Sequence, residues 1–316
     1  MTALACGIDV GGTKIAGCLI DDEGTIVAQA RVVSPATSTE AITGAIAGLV
    51  REFAAEHEIG SVGVGAAGFV DRSRSTVMFA PNLAWKDEPL RADLEAALSL
   101  PVVIENDGNA AAWGEFKYGA AADSDDLLLI TVGTGVGGGV VIDGELYRGA
   151  FGVAAEVGHI RVERNGRLCG CGNHGCLEQY ASGSALVRGA REEAVGGSLL
   201  ARELLDRAGG DPSAITGPLI SQAAADGDAF AIEQLATLGS WLGEGLASLT
   251  AVLDPGVVVI GGGVSEAGAL LVEPLRESFC VNLTGRGNRP ELDIRLAQLG
   301  NTAGMIGAAD LGRRTA

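Results

Sequence analysis

The chain reads as an α/β protein of two domains that begin with the same β-unit, and three observations carry that reading. At 316 residues it is too long for one compact core. Residues 3–20 read as a strand, a glycine turn and a second strand, and residues 127–149 repeat that design. Aligning Val10-Gly11-Gly12 on Val132-Gly133-Thr134 brings Asp21 near Asp143, which suggests duplication. A further strand, residues 25–33, follows the first hairpin and makes an antiparallel meander. A doubly wound dinucleotide fold would not begin that way.

The elements then follow in order. Thr37 to Glu40 has the capping-box pattern, and the helix behind it places Ile42, Ile46, Leu49 and Phe53 on one face. Residues 61–71 give a short strand running into a glycine loop. Asp87 opens a helix with Leu90, Leu94 and Leu98 in register, and Pro101 stops it. Residues 102–105 form a strand ending at Asn106 and Asp107, and a helix through Ala110, Trp113 and Phe116 follows directly. After the second hairpin a helical region runs from about Ser182 to Leu253. Its last helix carries Leu235, Leu238, Leu242, Leu246, Leu249 and Leu253, and Pro255 ends it. Residues 257–265 are a buried strand opening into glycines, and residues 301–311 are a terminal helix.

Composition excludes several classes. The hydrophobic share is 47% and the aromatic share 4%, as in a soluble protein rich in small apolar residues. The 49 glycines cluster in turns without a fixed period, which excludes collagen and low complexity. A net charge of −18 argues against nucleic acid and acidic membranes as partners. It also implies that a phosphorylated ligand is held by backbone N–H groups and a metal ion, because basic residues are scarce near the glycine motifs. The first residues lack a positive n-region and a long apolar run, so no signal peptide is expected. No run approaches the ~20 apolar residues of a membrane helix. Cys6, Cys18 and Cys280 read as small core residues.

The other three cysteines, Cys169, Cys171 and Cys176, follow His159 in a glycine-rich stretch flanked by Glu156 and Glu178. Three thiolates and one imidazole are what a tetrahedral Zn²⁺ takes in a closed structural site. Cys-x-Cys is a poor disulfide pair, and the chain otherwise looks cytoplasmic. The ion therefore shapes a loop that presents the two glutamates and does no chemistry itself. His159 reads as a ligand and not as a free base.

Gly133-x-Gly135-x-x-Gly138 matches the dinucleotide fingerprint, but a strand follows where that motif needs a helix. There is no P-loop pattern. Two hairpin turns remain, Gly11-Gly12-Thr13 and Gly133-Thr134-Gly135, and either alone is accounted for by a tight turn needing positive φ. The pair together with Gly261-Gly262-Gly263 points to a nucleotide in a cleft. Asp9, beside the first turn, is placed to hold Mg²⁺. Lys14 either touches phosphate or is a solvated strand lysine. Asp107 either caps its helix or acts as a general base at the carboxyl end of a buried strand.

These motifs together resemble the ROK family of repressors and sugar kinases: DVGGTK at 9–14, END at 105–107, VGTGVGGG at 132–139, EVGH at 156–159, CGCGNHGCLE at 169–178 and VIGGGVS at 259–265. The stretch FAPNLAWKDEPL at 79–90 resembles its ATP-dependent, glucose-phosphorylating members. The resemblance implies two ribonuclease-H-like (actin-like ATPase) domains with a cleft between them. It places residues 1–110 and 302–316 in an N-terminal domain, and 111–301 in a larger C-terminal domain carrying the zinc loop. It implies phosphorylation of glucose at the 6-hydroxyl by Mg-ATP, with Asp107 as base. Gly68, Asn82, Asn106, Glu156, His159 and Glu178 are then sugar contacts, His159 while also ligating zinc. Asp9, Gly11, Gly12, Thr13, Lys14, Gly133, Thr134, Gly135, Gly262 and Gly263 line the nucleotide site. Family members are usually dimers or tetramers. The repressors carry a DNA-binding helix-turn-helix ahead of the first glycine turn, and none is expected here, since only eight residues precede Asp9. Kinases for N-acetylmannosamine or fructose are the nearer competitors, whereas polyphosphate as donor is disfavoured because a long polyanion wants a basic track.

Overall fold

The computed structural model describes residues 3–314. Among these, the chain divides into two compact units, one of residues 3–129, 138–155 and 297–314, the other of residues 130–137 and 156–296. In chain order the elements of the first half are β1 (Leu4–Val10), β2 (Lys14–Ile20), β3 (Ile26–Val33), α1 (Thr39–Ala54), β4 (Ile59–Ala66), β5 (Phe69–Val70), β6 (Val77–Phe79), β7 (Lys86–Glu88), α2 (Leu90–Leu98), β8 (Val102–Asn106) and α3 (Asp107–Tyr118). The second half has β9 (Leu127–Val132), β10 (Val136–Ile142), β11 (Glu145–Leu146), α4 (Glu178–Ala181), α5 (Gly183–Val195), α6 (Arg202–Arg207), α7 (Gly217–Ala225), α8 (Ala229–Leu253), β12 (Val257–Gly261), α9 (Ala269–Asn282), β13 (Asp293–Leu296) and α10 (Ala303–Arg313).

The duplication read from the two hairpins extends to whole sheets. One has the order β3-β2-β1-β4-β8 and the other β11-β10-β9-β12-β13. In the first, β2 runs antiparallel to β1 and β3, while β1, β4 and β8 are mutually parallel. A small antiparallel sheet, β5-β6-β7, had no signal in the sequence because its strands are two or three residues long.

The central strands are buried on both faces, so they read as continuous apolar runs and not as alternating ones. On one face Ile8, Val10, Val62, Val64 and Ile104 pack with Ile42, Ile46, Leu49 and Phe53 of α1 and Leu90 and Leu94 of α2. On the other, Ala5, Cys18 and Ile20 meet Met305, Ile306 and Ala309 of α10. Glycine permits that second contact. A Cβ on Gly63 would sit far inside contact distance of the Ala308 carbonyl, and one on Gly307 inside that of Ala110. Asp310 completes the junction, accepting from Trp113 Nε1 at 2.8 Å and from the Tyr118 hydroxyl at 2.6 Å. Gly63→Ala is expected to destabilise the chain by about 3 kcal/mol, because backbone and not a flexible side chain must yield. A shift in the urea midpoint at unchanged slope would measure it.

Several expectations need correction. The boundary at residue 110 falls inside α3, yet α3 packs along α10, so α3 and residues 138–155 belong to the first unit, which is the larger one. Helix α1 is capped by Ser38, one residue after Thr37, with its side chain accepting from Ala41 N. Asp87 does not open α2. It lies in β7 at φ +52°, and the helix starts at Leu90. Cys6 and Cys18 are core residues as expected, but Cys280 is exposed on α9. No helix among the described residues is long and apolar enough to cross a membrane.

Candidate active site and metal centre

In the first unit the parallel strands β1, β4 and β8 all end at one sheet edge, the usual place for a ligand in an open α/β sheet. Ala67 N donates to Val10 O at 3.3 Å, and Asn106 Nδ2 donates to Gly68 O at 3.1 Å. A Cβ on Gly12 would lie 3.1 Å from Asn82 O. Asp9, the Gly11–Lys14 turn, Gly68, Asn82, Asn106 and Asp107 are therefore brought together. Burial pushes the Asp9 carboxyl upward, partly offset by Lys14. A desolvated carboxylate beside a glycine turn suits a hard cation such as Mg²⁺.

The capping alternative for Asp107 is excluded locally. Asn106 is the N-cap of α3, its Oδ1 accepting from Asn109 N at 3.0 Å. Asp107 is thereby relieved of capping, and its Oδ1 accepts from Asn106 Nδ2 at 3.1 Å. A carboxylate at a helix N-terminus that accepts from a neighbouring amide is held in a fixed orientation.

In the second unit His159, Cys169, Cys171 and Cys176 place their donor atoms within 4.8 Å of one another. Cys169 Sγ lies 3.6 Å from His159 Nδ1, and Cys171 Sγ lies 3.6 Å from Cys176 Sγ. A tetrahedron with Zn–S bonds of about 2.3 Å sets its ligands about 3.8 Å apart, so the donor set fits that ion. The other ring nitrogen of His159, Nε2, lies 3.9 Å from Glu156 Oε2, so one imidazole serves the metal group and the carboxylate. Burial raises the Glu156 carboxyl, with His159 opposing and Glu178 reinforcing the shift. His174 is not in this converging group; its Nδ1 lies 3.0 Å from Gly166 O.

The metal loop leans on the second glycine turn. Glu178 Oε2 accepts from Val136 N at 3.1 Å, and a Cβ on Gly158 would overlap the Val136 carbonyl. That turn needs no positive φ at Gly133 or Gly135, which removes the tight-turn explanation of its glycines. At Gly135 a Cβ would strike Glu178, whereas around a Cβ on Gly133 there is nothing within 4 Å. Gly262 does require its type: it sits at φ +84° with a would-be Cβ 2.5 Å from Val132 O.

Gly133, Thr134 and Gly263 line an open cavity of about 1310 Å³, together with Gly183 and Ser184 at the start of α5. Gly183 N donates to Gly133 O at 2.8 Å. Leu186, Val187, Pro218 and Leu270 give an apolar wall suited to a base. Gly135 and Gly262 are not in its lining. Arg188 and Arg191 stand in the same wall, which corrects the expectation that basic residues are scarce there. They lie some fifty residues from the turn in sequence, and only the packing of α5 brings them close. Burial and the neighbouring Arg167 lower the Arg188 pKa, while Arg191 Nε donates to Ile215 O at 3.0 Å.

Fold and site define a two-domain protein of ribonuclease-H-like halves, the actin-like ATPase class, with an open cavity beside a glycine turn and a His/Cys cluster able to hold a metal ion. More particularly, the ROK family profile matches residues 5–315, and the chain belongs to the ROK family. It is 50% identical over 310 residues to a glucokinase of Streptomyces coelicolor, covering 98% of each chain. It is 34% identical over 307 residues to a glucokinase of Thermotoga maritima, covering 96% of each. Among solved structures it is similar to a ROK family glucokinase from Streptomyces griseus in complex with glucose and AMPPNP, with TM-score 0.90, 49% identity and coverage of 98% of this chain and 99% of that one.

Proposed function

We propose that this chain transfers the γ-phosphoryl group of Mg-ATP to the 6-hydroxyl of glucose, giving glucose 6-phosphate and ADP. The observation that carries the reading is the β8–α3 junction, where Asn106 takes the cap and leaves Asp107 as an oriented carboxylate. The full-length likeness to glucokinases supports the choice of sugar and donor. Asp107 accepts the hydroxyl proton as the sugar oxygen bonds to phosphorus, and the bond from phosphorus to the β-phosphate oxygen breaks as ADP leaves. Gly68, Asn82, Asn106, Glu156, His159 and Glu178 take the sugar hydroxyls. Backbone N–H groups of the turns at Gly11-Gly12-Thr13 and Gly133-Thr134-Gly135, with Lys14, Gly262 and Gly263, serve the nucleotide. Mg²⁺ arriving with ATP neutralises phosphate charge, and Asp9 is the oxygen donor this chain offers it. Zinc on His159, Cys169, Cys171 and Cys176 holds the loop that carries Glu156 and Glu178.

None of the six cysteines is in a disulfide, and a reducing, cytoplasmic setting is part of the reading. A homo-oligomer, dimer or tetramer, is part of the reading, and light scattering tests it. The net charge of −18 speaks against DNA as a partner. A coupled assay across glucose, mannose, fructose and N-acetylmannosamine, each with ATP or polyphosphate, tests the substrate pair. Glucose with ATP is expected to give the highest kcat/KM. A tenfold preference for any other pair would overturn the assignment.

A further inference from the structure

Glu105 precedes Asn106 and takes no part in the reaction above, yet its side chain is only 1% exposed. Its Oε1 accepts from Asn106 N at 2.9 Å, from Asn109 Nδ2 at 3.1 Å and from Arg148 Nε at 3.0 Å. Its Oε2 lies 2.8 Å from Arg148 Nε and 3.0 Å from Arg74 Nε. Arg148 is itself buried and directs its other groups to backbone: Nη1 donates to Arg72 O and Nη2 to Asp71 O, both at 2.9 Å. The Asp71 carboxylate in turn accepts from Ser75 N at 2.8 Å, from Thr76 N at 3.0 Å and from the Ser73 hydroxyl. Gly152 closes the frame, since a Cβ there would lie 2.6 Å from Val70 O.

Stability does not account for this cluster. Burying a carboxylate between guanidinium groups costs desolvation that their attraction only partly repays, and apolar side chains of similar volume usually do as well or better. The preceding residues of the same strand, Val102, Val103 and Ile104, are such side chains. What the cluster does is geometric. Two of the three bonds on Glu105 Oε1 end on Asn106 and Asn109, the pair that forms the cap of α3. Asn106 in turn holds Asp107.

We propose that Glu105 and Arg148 are a positioning pair that locks the β8–α3 junction so that the Asp107 carboxylate is aimed at the sugar hydroxyl. The proposal rests on the glucose-phosphorylating reading given above. Neither is among the sugar or nucleotide contacts proposed above. Arg148 braces Glu105 against the 71–76 loop, and Glu105 fixes the peptide that carries the cap.

Steady-state kinetics and thermal unfolding of Arg148→Met and of the double variant Glu105→Gln/Arg148→Met test it. Arg148→Met is expected to lower kcat about 30-fold, in line with the cost of a misplaced catalytic group, while KM for ATP stays within about twofold. Its Tm falls, because Glu105 is left buried with one partner fewer. The double variant removes this buried carboxylate, left with Arg74 as its one cation, and is expected to regain most of the lost Tm while kcat stays low. Recovery of kcat together with Tm would show that the pair serves stability alone and would overturn the proposal. A wild-type kcat in Arg148→Met would do the same. Should that variant not fold, Arg148→Lys keeps a charge beside Glu105 and loses the two carbonyl bonds. Its kcat is expected to fall about 10-fold, and an unchanged kcat again overturns the pair. Asp107→Asn in the same assay separates the two readings. If it turns over normally, the base assignment falls and takes the positioning role with it. If it is slow while Arg148→Met is not, only the positioning role is lost.

Discussion

Asp107→Asn is expected to bind glucose within a few-fold of the wild type and to lose about 10²–10⁴ in phosphorylation rate. The substitution keeps size and shape, and the amide still reaches Asn106, but it cannot take the proton that leaves the sugar oxygen. At 1.36 kcal/mol per tenfold, that loss corresponds to about 3–5 kcal/mol of barrier. The helix itself should be unharmed, since its cap is Asn106 and not the mutated side chain. Calorimetric titration with glucose measures the first half of the expectation and single-turnover phosphoryl transfer the second. Turnover near the wild-type rate would remove Asp107 from the mechanism. Lost glucose binding with unchanged turnover per bound sugar would reassign it to recognition.

Cys171→Ser should strip the metal from the chain, and elemental analysis should fall from one zinc per chain to near none. Four-ligand chelation stabilises such a loop by about 10–16 kcal/mol near neutral pH. This loop has little else to hold it: Leu168 is 65% exposed, and the ligands lie among glycines. Since Glu156, His159 and Glu178 ride on the loop or at its ends, glucose affinity should fall by about 10–100-fold, as when metal-site support is removed elsewhere. Asp107 should remain in place, so the residual activity should show a raised KM more than a lowered kcat. The protonation of the thiols gives a further check. A hydrogen bond from the Asn173 backbone lowers the Cys171 pKa, while burial pushes Cys176 up to about 12. Binding must displace protons, so metal affinity should weaken as pH falls. Full zinc content in Cys171→Ser would reject the ligand set.

Much of this was legible in the chain. The hairpin repeat became two sheets of the same strand order because a strand, a turn and a returning strand are local objects. The metal group was legible because soft ligands so close in sequence have few other uses, and their donor atoms do converge. Asn106 and Asp107 were legible as a strand-to-helix junction, but which of them caps was not, because Asn and Asp serve almost equally as N-caps. The rest came from distance along the chain. Nothing near Gly133 announces Arg188 or Arg191, and nothing near Glu105 announces Arg148, 43 positions later. The domain boundary at residue 110 was misplaced for the same reason, since α3 is held by α10 from the far end of the sequence.

The sequence alone determined the α/β class, the duplicated β-unit, the metal ligands and the candidate carboxylates. These depend on period, spacing and ligand chemistry within a few tens of residues. Tertiary structure alone decided which side chain caps α3, which arginines line the cavity beside Gly133, and that Arg148 braces Glu105. Those are contacts between segments far apart in the chain, and a guanidinium gives no sign in sequence of the carboxylate or carbonyl it will meet once the layers pack.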